Sequence, residues 1–370
     1  MSRKKKIFIF LAVFLTVFIL AAGGWLLEVF VLRGHREMKT GLTATNTTPA
    51  VYTTEAEMDT AFAAGFPKLS KMLTGTIVVP GLRATETLEG SLPQKEICTS
   101  MTPQGLAVSE NYIFISAYCH THRHNSVIYM LNRKTHDYIK TIVLPGKDHV
   151  GGMGYDTVNN NLWVSGGTKG AAKAIAYSMK SLEDYNFKTS GKPIHSLYDY
   201  TLVTITRNSY MSYASGALLI GYFTPTGLSQ LERFDITDEG GLHAQIIANY
   251  DSVHESVTCD FFAITSGQIQ SAAESGDFLM LSKSFGTFDS ALQIFDNSVE
   301  TFDFEDKDAA KVWRFPQKLE QIYPYDGKLY CLFESAAYAY RAQPALCLDR
   351  ILVFNVKDML PEQAEAAEIS

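Results

Sequence analysis

Five polar positions recur in this 370-residue chain at intervals of about 50 to 60 residues, each opening an apolar, β-branched run. They are Gln104, Gly151 with His149 just before it, Ser209 with Asn208, Gln270, and Glu320 with Gln321. One carboxylate among amides and an imidazole can do two kinds of chemistry. Glu320, Gln104 and Gln270 offer the oxygen ligands that a hard divalent cation such as Ca²⁺ takes. The whole set, Gln104, His149, Asn208, Gln270, Glu320 and Gln321, can instead hold a small ligand by hydrogen bonds. A plainer alternative is that these amides satisfy buried backbone groups and trapped water. His149 precedes the pair Gly151-Gly152, which permits close backbone approach, and is the preferred ligand contact.

Other chemistry is thinly represented. His120-Thr121-His122-Arg123-His124 places alternate imidazoles on one side of an extended segment, as a Zn²⁺ or Cu²⁺ site would need, but Arg123 interrupts it and only Cys119 stands close by; a polar loop is the favoured reading. Glycoside cleavage needs two carboxylates across a sugar, and the recurrent positions supply one, unless a loop acid such as Asp199, Asp260 or Glu334 completes the set. Ser116, Ser165, Ser282, Ser284 and Ser335 recur at the ends of related runs without a G-x-S-x-G elbow, which suggests bonding between neighbouring units rather than nucleophiles. No Gly-rich phosphate loop is present. The five cysteines (Cys98, Cys119, Cys259, Cys331, Cys347) are too sparse for a disulfide scaffold and lack C-x-x-C spacing; Cys331 and Cys347 are the first pair to test for a bridge, with buried free thiols an equal alternative.

The elements that position these residues are short strands. From residue 75 the helical period disappears, and five units follow, each with an inner run, a second run and a third: for the first, residues 103–108, 112–116 and 126–131. Fourth strands are expected at Tyr138 to Leu144, Ile194 to Val203 and, for the third unit, Ala244 to Tyr250. The last unit stops near Val356, and Gly75 to Val79 can supply its missing outer strand and close the ring. The expected fold is an all-β, single β-propeller of five four-stranded blades, with a degenerate sixth admissible within 178–207 or 297–318. The polar positions then ring the channel mouth.

Pro103-Gln104-Gly105-Leu106-Ala107 opening a blade, and the third strand and turn from Ser126 to Thr135, resemble the secreted propellers of the NHL, YncE and SMP-30 lactonase type, over roughly residues 75–356. The resemblance implies the fold and a family that hosts binding platforms as well as enzymes. SMP-30-type lactonases hold a divalent ion with Glu, Asn and Asp. Here Glu320 matches the Glu and Asn208 the Asn, while no Asp occupies the ring, which argues against lactonase activity.

The charge is unevenly divided. The chain carries 32 Lys and Arg against 39 Asp and Glu, a net −7, and only 19% charged residues, which excludes a disordered chain and gives no basis for nucleic-acid binding. Residues 1–36 hold six of the cations and one anion, leaving 26 and 38, or −12, for residues 37–370. Ile7 to Leu27 is free of charge for 21 residues and follows Arg3-Lys4-Lys5-Lys6. That pattern predicts a membrane-spanning anchor with the basic tail in the cytoplasm; a cleaved secretory peptide is the alternative. The expected organisation is a basic tail (1–6), a transmembrane helix (7–32), a flexible linker (33–53), a short helical segment capped by Thr54 and Glu57 (54–74), the propeller (75–358) and a disordered tail (359–370). The expected function is a membrane-tethered extracytoplasmic module that binds an envelope polymer, peptide or partner protein. The alternative is a divalent-metal-dependent hydrolase or lactonase in the channel mouth. The absence of paired ring carboxylates leans against an enzyme.

Overall fold

The computed structural model describes residues 3–89, 94–168, 170–249, 252–298 and 301–362, with the side chains of 3–12, 30, 168, 247–249 and 252–254 left undescribed. Five antiparallel sheets follow one another along the chain. Blade 1 consists of Met101–Val108, Tyr112–Cys119, Val127–Asn132 and Tyr138–Val143. Blade 2 has Met153–Asp156, Asn161–Thr168, Ala171–Ser178 and Tyr198–Leu202. Blade 3 has Tyr210–Ala214, Ala217–Gly221, Leu228–Asp235 and Phe261–Ser266, and blade 4 has Ile269–Ser275, Phe278–Lys283, Ser290–Asp296 and Lys311–Phe315. Blade 5 takes Leu319–Tyr325, Lys328–Phe333 and Arg350–Asn355 from the end of the chain and Leu73–Val78 from its beginning. The first strand of each blade touches that of the next, around to blade 1, so the inner strands form a closed ring.

Closure is as the sequence predicts: Thr76 pairs with Leu352 and Val78 with Arg350, which gives blade 5 its fourth, outer strand. The two stretches where a sixth blade was admissible are spent otherwise. Met179–Asp184 and Phe187–Ser190 are short helices ahead of the outer strand of blade 2, and 301–318 carries Asp303–Phe304 and the outer strand of blade 4.

One strand assignment is corrected. Ala244–Asn249 pairs with Ser252–Val257, and this hairpin extends the outer edge of blade 2 through parallel pairing of Thr201 with Ser256. The fourth strand of blade 3 is Phe261–Ser266, opposite Leu228–Asp235. Both segments read as strands. The difference is that Ala263 and Thr265 alternate into the blade, whereas Ile246 is 74% exposed.

The segment before the propeller is laid against it. Asn46 bonds the backbone of Ala84 and Gly81, and Val51 and Tyr52 N–H groups donate to the buried Asp349 carboxylate at 2.6 and 3.1 Å. The expected flexible linker is therefore tied down by specific hydrogen bonds, which a polar composition alone does not reveal. Thr54 caps the helix Glu55–Gly65 reciprocally with Glu57, as read from the sequence, and Met58 and Phe62 bury against the closure of blades 4 and 5. The expected helix to Leu73 breaks at Phe66, because Pro67 cannot donate its missing N–H, and a short second helix, Pro67–Ser70, follows. Thr54→Ala is expected to cost about 1 kcal/mol, read as a shift in the urea midpoint with unchanged slope.

At the N-terminus, a helix covers Arg3–Leu27. Among the described residues no helix is long and apolar enough to cross a membrane, so the expected transmembrane span is not supported by them. Val13, Phe14, Leu15, Val17, Phe18, Ile19 and Leu20 are all exposed. The expected disordered tail lies, from residue 363 on, outside the described residues.

Candidate functional site

The inner strands carry the recurrent polar residues to one end of the channel, and local irregularities aim them. Register breaks in the inner strands fall between Pro103 and Leu106, between Ile269 and Ser271, and between Leu319 and Ile322. Each break sits at Gln104, Gln270 or Glu320, where a β-bulge turns a side chain out of the regular alternation. In blade 2 the approach is made by glycines. A Cβ on Gly151 would strike the Ser209 carbonyl and one on Gly152 the Met211 backbone, so only glycine lets blades 2 and 3 meet this closely.

A cavity of about 660 Å³ opens at this mouth, and Gln104, His149, Asn208, Gln270 and Glu320 all line it. Gln321, the sixth expected ligand contact, does not. It is fully buried in the axis beneath, where its Oε1 accepts from Leu106 N–H (2.6 Å) and Met153 N–H (3.0 Å), and its Nε2 donates to the carbonyls of Met153 (2.8 Å) and Met211 (3.0 Å). Every polar atom of its amide is committed to blades 1, 2 and 3. It is a plug across the axis, with no capacity left for a ligand.

The structure adds Glu334, which follows the second strand of blade 5 and lines the cavity beside Glu320. The two carboxyls hydrogen-bond to each other. Gln104 Nε2 donates to Glu334 Oε2 at 2.8 Å, and the Lys318 ammonium lies 3.3 Å from Glu334 Oε1. Burial, then the neighbouring Glu334 charge, pushes the Glu320 carboxyl well above the usual range; burial also raises Glu334, with Lys318 and Gln104 opposing. Two buried carboxyls in contact cannot both ionise cheaply, so the pair is biased toward holding a proton. The pair was legible only as one ring acid and one loop acid, because 14 residues and a strand turn separate positions that the bulge brings together.

The His149 ring packs against Tyr118 at 4.3 Å and lines the cavity with an exposed side chain. Crowding by the surrounding protein, with His122 and His120 nearby, lowers its pKa to about 4, which favours the neutral imidazole at physiological pH. Asn208 Nδ2 donates to the Lys173 carbonyl at 2.9 Å, leaving its buried Oδ1 without a hydrogen-bond partner among the described residues. Lys147, Arg207, Phe223 and Tyr340 also line the cavity and had no periodic signal in the sequence, as do His122 and a third acid, Asp148, whose Oδ2 accepts from Gly167 N–H at 2.8 Å. For a cation at Glu320, Gln104 and Gln270, the electrostatics are poor. Burial pushes the Glu320 carboxyl toward its neutral form, Gln104 is turned to donate to Glu334, and Lys318 already supplies positive charge.

The histidine run is corrected in shape. It is a turn with His122 at φ +53°, not an extended segment, so the rings diverge. His120 and His122 face Tyr118 near the mouth, whereas His124 is 1% exposed and points the other way, into blade 1. The recurrent serines join blades, as expected: Ser116 Oγ donates to the Val150 carbonyl at 2.7 Å and Ser282 Oγ to the Glu320 carbonyl at 2.8 Å. Cys331 and Cys347 are both free; Cys331 is buried within its blade, while Cys347 Sγ donates to the Arg341 carbonyl. The N-terminal helical segment ends at this same face, with Gly34 against the His120 ring and Arg33 over Tyr338.

No family model matches the chain, and no curated protein matches it. Among solved structures, it is similar to one described as a nidogen/laminin complex, at 10% identity and a TM-score of 0.36, covering 70% of this chain and 86% of that one. It is also similar to a periplasmic gluconolactonase of Pseudomonas aeruginosa, at 10% identity and a TM-score of 0.36, covering 60% of this chain and 61% of that one. At such similarity neither speaks to what this chain does, and its five-bladed β-propeller stands on its own strand pairings.

Proposed function

We propose that the protein is an extracytoplasmic binding propeller, held at the cell membrane by its N-terminal helix with the basic tail in the cytoplasm, and that its channel mouth takes a small polyhydroxylated ligand such as the end of an envelope glycan. The observation that carries the reading is the convergence of three amides, a hydrogen-bonded carboxyl pair and an imidazole around one cavity. Hydroxyl groups both donate and accept, and planar amides and carboxyls meet them in pairs. Asn208 Oδ1, an acceptor without a partner, suits a ligand hydroxyl. Phe223 and Tyr340 offer apolar faces beside these groups. Membrane attachment is supported by the seven exposed apolar side chains between Val13 and Leu20, interrupted only by Thr16.

Glycan-array screening of the purified chain, followed by calorimetry on the best ligand, tests the binding. Gln270→Ala is expected to weaken that ligand at least about tenfold without lowering the melting temperature, because the Gln270 amide makes one long bond, 3.5 Å, to the Ser284 carbonyl. No binding across the array, or affinity indifferent to Gln270→Ala, rejects the reading. The metal-dependent hydrolase or lactonase is favoured by the acids of the mouth, the Glu320–Glu334 pair as a proton donor and Asp148 in the same lining. The Glu320 and Glu334 carboxyls touch, closer than the roughly 5 Å or more that glycoside hydrolysis requires. Ca²⁺-dependent turnover of a lactone, lost in Glu320→Gln, would replace the binding reading with the catalytic one.

A further inference from the structure

A second polar cluster lies in blade 1, apart from the channel. Cys98 closes the strand Lys95–Cys98, and Cys119 closes the second strand of blade 1 opposite Met101. His124 is set by its bridge to Glu89, and Glu37 arrives from the N-terminal segment, fixed by the Met38 N–H bond to Thr99 Oγ1 at 2.8 Å. One ligand atom from each of Glu37, Cys98, Cys119 and His124 lies within 4.8 Å of all the others. Cys98, Cys119 and His124 are at most 1% exposed.

We propose that these four residues form a tetrahedral Zn²⁺ site that clamps the N-terminal helical segment to the propeller. Zn–S bonds near 2.3 Å and Zn–N and Zn–O bonds near 2.0–2.2 Å put tetrahedral ligand atoms about 3.3–3.8 Å apart. The Cys119 Sγ to His124 Nδ1 distance is 3.4 Å, and His124 Nδ1 to Glu37 Oε1 is 3.4 Å. Thiolate sulfur with imidazole selects a borderline-soft ion over Ca²⁺ or Mg²⁺. The surroundings supply an outer shell. Thr121 Oγ1 lies 3.0 Å from Cys119 Sγ and donates to Glu37 Oε1 at 3.1 Å, and the Ser100 N–H donates to Cys98 Sγ at 3.4 Å. On binding, each thiol gives up its proton, and the residual negative charge of two thiolates and a carboxylate around Zn²⁺ faces Arg123, 4.0 Å from Glu37 Oε1. Four protein ligands leave no open position, so the site is structural.

The consequence is positional. Three ligands belong to the disc and the fourth to the chain entering it, 61 residues before Cys98. Metal binding therefore holds the helix end, Gly34 and His35, against His120 at the rim of the mouth. Titration of the full-length, reduced, metal-free protein in detergent with Co²⁺ tests this. One equivalent is expected to give the intense visible bands of tetrahedral Co²⁺ and a thiolate charge-transfer band, both removed by Zn²⁺. Thr121→Ala, which touches two ligands without being one, is expected to weaken Zn²⁺ about 10–100-fold, and Cys347→Ser to leave it unchanged. Zn²⁺ is also expected to slow proteolysis between residues 33 and 53. A pale, six-coordinate Co²⁺ spectrum, bands that persist in both Cys98→Ser and Cys119→Ser, or a Cys98–Cys119 disulfide in the non-reduced protein overturns the proposal. Because the spectrum of the unmodified chain and the Thr121→Ala affinity stand on their own, misfolded cysteine variants do not shield it.

Discussion

Replacing Gln321 with leucine is expected to lower the stability of the propeller by about 3–5 kcal/mol, among the largest losses any single substitution here should produce. The side chain is fully buried on the axis and makes four hydrogen bonds to backbone of blades 1, 2 and 3. Leucine fills much of the volume, so the cavity term is small. What remains is two N–H groups and two carbonyls in a dry environment, each costing about 1–3 kcal/mol less whatever water or ladder bonding recovers. A ring is sensitive to this because the amide of one blade holds three others in register. Urea unfolding followed by tryptophan fluorescence measures it, with the midpoint falling and the melting temperature down by about 10 °C. A loss below about 1 kcal/mol would show that the axis is wet and that Gln321 is not its plug.

The second large effect is one of pH. Glu320 and Glu334 carry raised pKa values in the folded protein, Glu320 most strongly, through burial first and their mutual proximity next. A carboxyl raised on folding binds its proton more tightly in the native state than in the unfolded one. Stability from this pair is thus complete below the unfolded carboxyl range, about pH 4.3, and declines as pH rises toward the folded value, where the loss levels off. Glu320→Gln keeps the shape and the hydrogen bond donated to Glu334 but has no proton to lose. It frees Glu334 to ionise against Lys318, 3.3 Å away. The variant is expected to be more stable than the parent at pH 8 and to gain nothing near pH 4. Chemical denaturation of both proteins across that range checks it. Equal stability at pH 8 would mean that the two carboxyls do not share a proton. The same variant separates stability from function, since a more stable protein with weakened ligand binding is the pattern of a site residue held at a cost to the fold.

Much of the molecule was legible because it is local. Strand length, β-branched runs and turn residues repeat every blade, and each blade must bury both faces against its neighbours, so the period sets the ring and the unpaired last blade calls for Leu73–Val78. Thr54 with Glu57 signals a helix start for the same reason, two residues acting within one turn. The polar starts of the inner strands converge at one mouth because every inner strand runs in the same sense. Misplacement of Ala244–Asn249 came from a limit of that logic: alternation identifies a strand but not its partner, and two successive candidates competed for one edge.

The sequence by itself determined the repeat, the closure, the cap, the blade-joining serines and five of the residues that line the channel mouth, Gln104, His149, Asn208, Gln270 and Glu320. Only the tertiary structure decided that Gln321 is a plug while Glu320, its neighbour, faces the cavity, because a bulge between Leu319 and Ile322 separates their directions. It alone paired Glu334 with Glu320, set Gln104 against Glu334 across 230 residues, and gathered Glu37, Cys98, Cys119 and His124 at one point. Periodicity reports which face a residue occupies along its own strand. It carries no information on what a bulge, a turn or an entering segment brings opposite, and the chemistry of this protein is made at such junctions.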